Sequence, residues 1–331
     1  MLVFAAALAL ASLAPAQSAQ ARYAIRLVNF PPFVSAGAIA GVDNRGEMAG
    51  TGIEAGNSYP DCVYFDGALL LDLTSNSGNF CHFSAMNSRG VAVGQYYDFS
   101  AYLNYAVLYT HRKLTFINKL VDSFLQFNDE GWAVGNLSGN GFAVYDVGTR
   151  SIVYELYDPR GQCAMSYPYG INDVGIVFGY DQCDNQQVRY ETVSGGTFTY
   201  FEPPAGYAVS TNGSATVFNN LGQIALSKVG SGHAFLWLPS GNSPPLDLGA
   251  LAEDPSGTYT VGALNDRMAA GVTSGGYAWV WTRHDGIRNL ATLLPPNSYG
   301  PLEPQALDAQ GDLGCASAVD PEYWFFLRLV R

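Results

Sequence analysis

Apolar and polar positions alternate along most of the chain in short runs, the period of half-buried β-strands. One recurring turn separates them. Its clearest copy is Gly170-Ile171-Asn172-Asp173-Val174-Gly175-Ile176-Val177-Phe178-Gly179, read as a strand, an Asn-Asp-x-Gly turn and a second strand. The pattern apolar-(Asn/Asp)-x-x-Gly-x-apolar recurs at Val42-Asp43, Met86-Asn87, Phe127-Asn128, Ile171-Asn172, Phe218-Asn219, Leu264-Asn265 and Leu307-Asp308, with Asn/Asp positions 44, 41, 44, 47, 46 and 43 residues apart. The Asn or Asp side chain accepts a hydrogen bond from backbone ahead of it, and glycine takes the positive φ that closes the hairpin. Gly46, Gly90, Gly131, Gly175, Gly222 and Gly311 fill that slot. The sixth copy, Asn265-Asp266-Arg267-Met268, lacks the glycine and predicts a turn one residue shorter. A period in the forties with four short strands per unit is the measure of a β-propeller blade, so the chain is expected to be an all-β, seven-bladed propeller.

Within each repeat the innermost strand is small, as in Gly37-Ala38-Ile39-Ala40-Gly41, because side chains crowd at the axis. The third strand is aromatic and aliphatic, as in Cys62-Val63-Tyr64-Phe65, Ala234-Phe235-Leu236-Trp237 and Ala278-Trp279-Val280-Trp281, and is expected to pack between blades. Blade four matches least well, with Val188–Thr192 as its third strand. The first segment after the leader, Tyr23–Phe30, ends in prolines like the outer-strand segments Phe198–Pro204 and Ile287–Pro296, while blade seven ends one strand short. Pairing of Tyr23–Phe30 with Tyr323–Leu329 is therefore expected to close the ring and remove its open edge.

Residues 2–14 are an apolar run too short to span a bilayer comfortably, followed by Ala-x-Ala sites ending at Ala16 and Ala21. Residues 1–21 read as a secretory signal peptide, with an uncleaved anchor as the alternative, and residues 22–331 as one domain. A secreted or periplasmic location follows, with no transmembrane segment after cleavage. The net charge of −12, from 16 Lys+Arg against 28 Asp+Glu, repels phosphate backbones and argues against nucleic acid as a partner.

In an exported chain five cysteines favour disulfides. Cys62, Cys81, Cys163 and Cys183 all map to the face carrying the loops between blades and between second and third strands, here called the top. Pairs Cys62–Cys81 and Cys163–Cys183 are expected, with free thiols as the alternative, and Cys315 is expected to be buried and unpaired. No zinc, nucleophile-elbow or phosphate-cradling motif is present, and Asp181-Gln182-Cys183-Asp184-Asn185 lacks the glycine and distal glutamate of a calcium loop. No metal or cofactor is expected.

Gly232-His233-Ala234-Phe235-Leu236-Trp237, followed by Leu246-Asp247-Leu248-Gly249-Ala250-Leu251, resembles the HAF-repeat family of extracellular bacterial proteins, whose repeat pairs an Ile-Asn-x-x-Gly-x-Val-x-Gly hairpin with a His-Ala-Phe-Leu-Trp strand and an Asp-Leu-Gly-Thr-Leu segment. The hairpin recurs through nearly the whole mature chain; the His-Ala-Phe spelling survives once. The resemblance implies an exported repeat protein, gives His233 a structural hydrogen-bonding role, and lends no catalytic residue.

Chemistry is sought in the top loops. Tyr96, Tyr97, Phe99, Tyr102 and Tyr105 crowd one connection, either as a binding surface or packed over their own blade. Strand-entry loops add His82, Arg160, Tyr167, Tyr207, Asp254, Tyr259, Tyr299 and Glu303. Tyrosines beside carboxylates and amides suit sugars or peptide surfaces. The leading expectation is a non-catalytic, monomeric propeller binding a glycan or an extracellular protein through this face. The alternatives are a polysaccharide lyase or glycoside hydrolase at the axial funnel, with His82, Tyr167, Tyr207, Tyr259, Asp254 and Glu303 as its ionisable candidates, and a purely structural surface protein.

Overall fold

The structure, a computed structural model, describes residues 22–330 except 31–33, 55, 57, 75–77, 118–120, 139–140, 157–166, 182–185, 192–196, 211–217, 240, 242, 296–299 and 321–322. Residues 1–21, expected to be a signal segment, and Arg160, Cys163, Cys183 and Tyr299 lie outside the described residues. The chain forms seven four-stranded antiparallel sheets. Blade one sets the pattern with Val34–Val42, Met48–Glu54, Asp61–Phe65 and Leu70–Asp72 in order from the axis outward. Blade four, the weakest in sequence, has all four strands, its third being Gln186–Glu191. Blade seven takes Leu302–Leu307, Leu313–Ser317 and Tyr323–Val330 from the end of the chain and Arg22–Asn29 from its beginning. The register runs from Arg22 opposite Val330 to Asn29 opposite Tyr323, so the expected closure is observed, with Arg22 and Val330 added to the pairing and Phe30 left out of it.

Buried side chains pack between adjacent sheets. Trp279 of blade six sits with Ala225 and Leu236 of blade five, and Trp324 of blade seven with Ile39 and Val63 of blade one. The axis is crowded: a Cβ on Gly41 would lie 2.5 Å from the Cβ of Met86 in the next blade.

Each turn forms as its sequence dictates. At Asn172 the backbone amide donates to the Ile176 carbonyl at 3.1 Å, the Ile176 amide donates to Asn172 Oδ1 at 2.8 Å, and Gly175 takes φ 78°. In the sixth copy the Asn265 amide reaches the Met268 carbonyl at 3.0 Å, one residue sooner. The amide half of each Asn has a second task. Nδ2 of Asn87, Asn128, Asn172, Asn219 and Asn265 donates to the backbone carbonyl of the equivalent residue in the next blade, at 3.3, 2.8, 3.2, 3.1 and 2.6 Å. These bonds link blades two to seven around the axis.

The ring stops where asparagine becomes aspartate. Asp43 turns its Oδ2 to Arg45 Nε at 2.8 Å. Asp308 accepts the amides of Gln310 and Asp312 on Oδ1, each at 2.8 Å, as the asparagines do in their own turns. Its Oδ2 is buried without a hydrogen-bond partner, in the position from which an Asn Nδ2 would reach the carbonyl of Asp43. Burial first, and the nearby Asp312 charge, push the Asp308 carboxyl up to about 6 against the opposing pull of backbone amides. A carboxyl raised above its unfolded value costs stability once ionised. The cost is absent below about pH 4, grows between about pH 4 and 6 and is complete above. Asp308→Asn should therefore stabilise the fold by about 1–2 kcal/mol at pH 7.5, a figure discounted for solvent near the axial mouth, and the gain should fade toward pH 4. Urea unfolding at both pH values checks this; a variant no more stable than the parent at pH 7.5 would contradict it.

Candidate functional site

On the top face, the aromatic-rich connection of blade two divides in its behaviour. Tyr96 packs on Phe116 and Tyr105 at ring distances of 4.9 and 6.4 Å, over its own blade. Tyr97 instead meets Phe99 edge-on at 4.7 Å, and Phe99 lies against Tyr59 of blade one at 4.3 Å with 38° between planes. Tyr59 is 45% exposed and Tyr102 80%.

Local bonds fix this surface. Asp98 Oδ1 accepts from the Ser100 amide, the Ser100 hydroxyl and the Ala101 amide at 2.8, 2.7 and 3.1 Å, and the Ser100 bond leads in holding the carboxyl below its usual range. Tyr102 completes the turn at φ 56°, a left-handed conformation that directs the chain back into the third strand. From the loop between blades, Asn79 accepts the Phe99 amide at 3.0 Å and donates to the Tyr96 hydroxyl at 2.6 Å. Beneath, the expected Cys62–Cys81 disulfide joins the third strand of blade one to the innermost strand of blade two, with Cα atoms 5.0 Å apart. Cys315 is free and buried, also as expected. Gln95 and Asn104 pair at 2.7 Å on the same hairpin. The result is a preformed aromatic platform, Tyr59–Phe99–Tyr97, with amides nearby and a projecting tyrosine.

The remaining candidates lie in strands more than in loops. Tyr167, Tyr207 and Tyr259 open the innermost strands of blades four, five and six, and His82 and Glu303 lie near the starts of those of blades two and seven. The side chain of Tyr167 lies outside the described residues. Tyr207 meets Phe235 edge-on at 5.1 Å, with Lys228 Nζ 5.3 Å from its ring centre. Tyr259 is buried and committed: its hydroxyl accepts the Leu251 amide at 2.6 Å and donates to the Asp254 carbonyl at 2.8 Å. Burial raises the pKa of that phenol. Asp254 is walled by Gly257 and Gly275, where an added Cβ would lie 2.2 and 2.7 Å from Oδ2. His82 is half-buried, Nδ1 has no hydrogen-bond partner, and burial lowers its pKa. Among the described residues no hydrogen bond or ion pair joins His82, Asp254 and Glu303, and no group of three or more His, Cys, Asp or Glu could hold a metal ion. Asp181 accepts a bond from the Tyr200 hydroxyl at 3.1 Å; the rest of its acidic loop lies outside the described residues. His233 Nδ1 lies 2.9 Å from Asp247 Oδ1, tying the His-Ala-Phe strand to the Asp-Leu-Gly segment.

Sequence reasoning missed Tyr59 and two concavities on the opposite, bottom face. One, of about 310 Å³, is the axial mouth ringed by the turn asparagines. The other, of about 560 Å³, lies beside the short sixth turn. The missing glycine at that turn was the available signal.

Solved structures share this fold across nearly the whole chain. A catalytically inactive virginiamycin B lyase from Staphylococcus aureus with quinupristin aligns at TM-score 0.53 and 13% identity, covering 93% of this chain and 100% of its own. YCF48 bound to D1 peptide aligns at 0.56 and 10%, covering 91% and 96%. The β-propeller domain of the Trilobed protease from Pyrococcus furiosus aligns at 0.54 and 9%, covering 91% and 96%. The Pyrococcus domain is described as having an open velcro topology; here the first strand closes the last sheet. At such identities the likeness is one of fold. No family model and no curated protein matches the sequence.

Proposed function

We propose that the chain is an exported, non-catalytic, monomeric propeller of the HAF-repeat kind that binds a glycan or a protein partner on its top face. The observation that carries this reading is the preformed platform Tyr59–Phe99–Tyr97, fixed by Asn79 and Asp98 above a disulfide, with Tyr102 projecting at 80% exposure. A glycan is the better fit, since the face of an exposed ring such as Tyr59 takes the apolar side of a sugar ring and nearby amides meet its hydroxyls. Rigid aromatic contacts also lose little side-chain entropy on binding. The secretory leader read at residues 1–21 would deliver the chain to where polysaccharides lie; no helix among the described residues is long and apolar enough to cross a membrane.

Fold alone does not choose among roles, since one solved propeller of this shape is called a lyase and another is bound to a peptide. A lyase or hydrolase needs an acid and a base within reach of one sugar. His82 and Glu303 are the residues through which such a reaction would run, and they carry no bond to each other.

A glycan array with the mature protein tests the proposal. Binding to one class of polysaccharide is expected, weakened at least about ten-fold by Tyr59→Ala or Tyr102→Ala, the loss of roughly one stacking contact. Binding unchanged in both variants would remove the platform from the account.

A further inference from the structure

The larger bottom-face groove is lined by the short sixth turn, Asn265–Met268. In two of the complete turns the glycine slot lies close against the preceding blade: a Cβ on Gly311 would come 2.8 Å from Met268 Sδ, and one on Gly46 would come 2.7 Å from the Phe326 ring. The sixth turn has no residue in that slot, and Leu221 of the neighbouring blade-five turn is 57% exposed. A groove of about 560 Å³ opens there, with Leu221, Leu236, Met268 and Leu329 among its apolar walls. Arg267 and Arg283 stand on its rim with no ion-pair partner among the described residues. Of the other charged groups there, Asp266 Oδ1 accepts the Leu221 amide at 3.3 Å, and His284 is paired with Asp285 at 2.8 Å.

We propose that this groove docks an extended acidic peptide segment, one apolar side chain entering between Leu221 and Leu329 and a neighbouring carboxylate meeting Arg267 and Arg283. Charge sets the choice of occupant. The chain carries −12 overall, so an acidic partner is repelled by most of its surface and drawn to the place where two arginines lack carboxylates. The walls are mostly apolar and suit an anchoring Leu, Ile or Phe, while the cavity volume falls in the range of side-chain and ligand pockets. This surface is independent of the platform on the top face.

A displayed library of random linear peptides, selected against the mature protein, provides the probe; the enriched peptide is then synthesised and titrated by fluorescence anisotropy. Enriched sequences should place Asp or Glu beside an aliphatic or aromatic residue and bind more weakly in high salt. Affinity should fall at least about ten-fold in the double variant Arg267→Glu, Arg283→Glu. It should fall similarly when one glycine is inserted between Arg267 and Met268, which restores the length of the other six turns and fills the groove. The melting temperature of each variant verifies folding, and either variant alone suffices if the other fails to fold. The proposal is overturned if no peptide is enriched, if enriched peptides lack acidic residues, or if folded variants bind as the parent does. Uronic-acid oligosaccharide binding abolished by the same variants, without peptide binding, would also overturn it.

Discussion

A chain that begins at Pro31 is expected, beside one that begins at Arg22, to lose its cooperative thermal transition or to melt at least about 10 °C lower, because the strand it lacks closes the ring. Arg22–Asn29 pairs along its whole length with Tyr323–Val330. Its inward residues are deeply buried, Tyr23 among Leu302, Phe325 and Leu327 of blade seven and Val280 and Leu290 of blade six, and Val28 beside Trp324 and Phe326. Burying each such side chain contributes about 2–3 kcal/mol, and Ile25 and Leu27 add partial burial. The total, on the order of 5 kcal/mol or more, is a large share of the 5–15 kcal/mol typical of a folded domain. Deletion also exposes the edge of Tyr323–Val330 to pairing with other chains, so aggregation should accompany the loss. Circular dichroism melts with light scattering decide the matter; a truncated chain that melts like the parent and stays dispersed would refute closure.

The second large effect concerns the disulfide. Replacing Cys62 and Cys81 together by serine should lower stability by about 3 kcal/mol, the loop-closure term for a crosslink spanning 19 residues. Both positions are fully buried, and each serine adds a hydroxyl to an apolar contact between blades one and two, so the loss should not fall below that figure. A functional consequence distinguishes this crosslink from a merely stabilising one. Tyr59 precedes Cys62 by three residues and Asn79 precedes Cys81 by two, so the crosslink holds both sides of the aromatic platform. Ligand affinity should fall in the variant even at temperatures where it is fully folded. Urea titration of parent and variant, each with and without reductant, reads the stability effect, and a binding titration below the melting transition reads the other; equal unfolding midpoints in all four samples would contradict the expected contribution.

What could be read from the chain followed the reach of each interaction. The turns were legible because Asn172 and Gly175 act on their own neighbours, and seven such turns count the blades. Closure was legible because an outer-strand pattern stands at the wrong end of the chain. The shorter sixth turn was legible as a missing residue, yet the groove beside it was not, since its wall also takes Leu221 from the blade before. The ring of Nδ2 bonds reaches across 41 to 47 residues to the next blade and leaves only one trace in sequence, the change to aspartate at Asp43 and Asp308. In the site, the crowded tyrosines drew notice while Tyr59, flanked by Ser58 and Pro60, gave no local sign that it would lie on Phe99. Tyr259 looked available in sequence, but its hydroxyl is bound within its own loop by Leu251 and Asp254.

The most direct test of the account as a whole is product analysis on the polysaccharide that the array selects. The mature protein is incubated with that polysaccharide, and chain ends are followed by mass spectrometry and by absorbance of unsaturated uronates while binding is measured in parallel. The account predicts saturable binding that depends on Tyr59 and Tyr102, with chain ends unchanged over time. Release of reducing or unsaturated ends that stops on His82→Ala or Glu303→Gln would contradict it, and would move the function from the platform of blades one and two to the starts of the innermost strands on the top face.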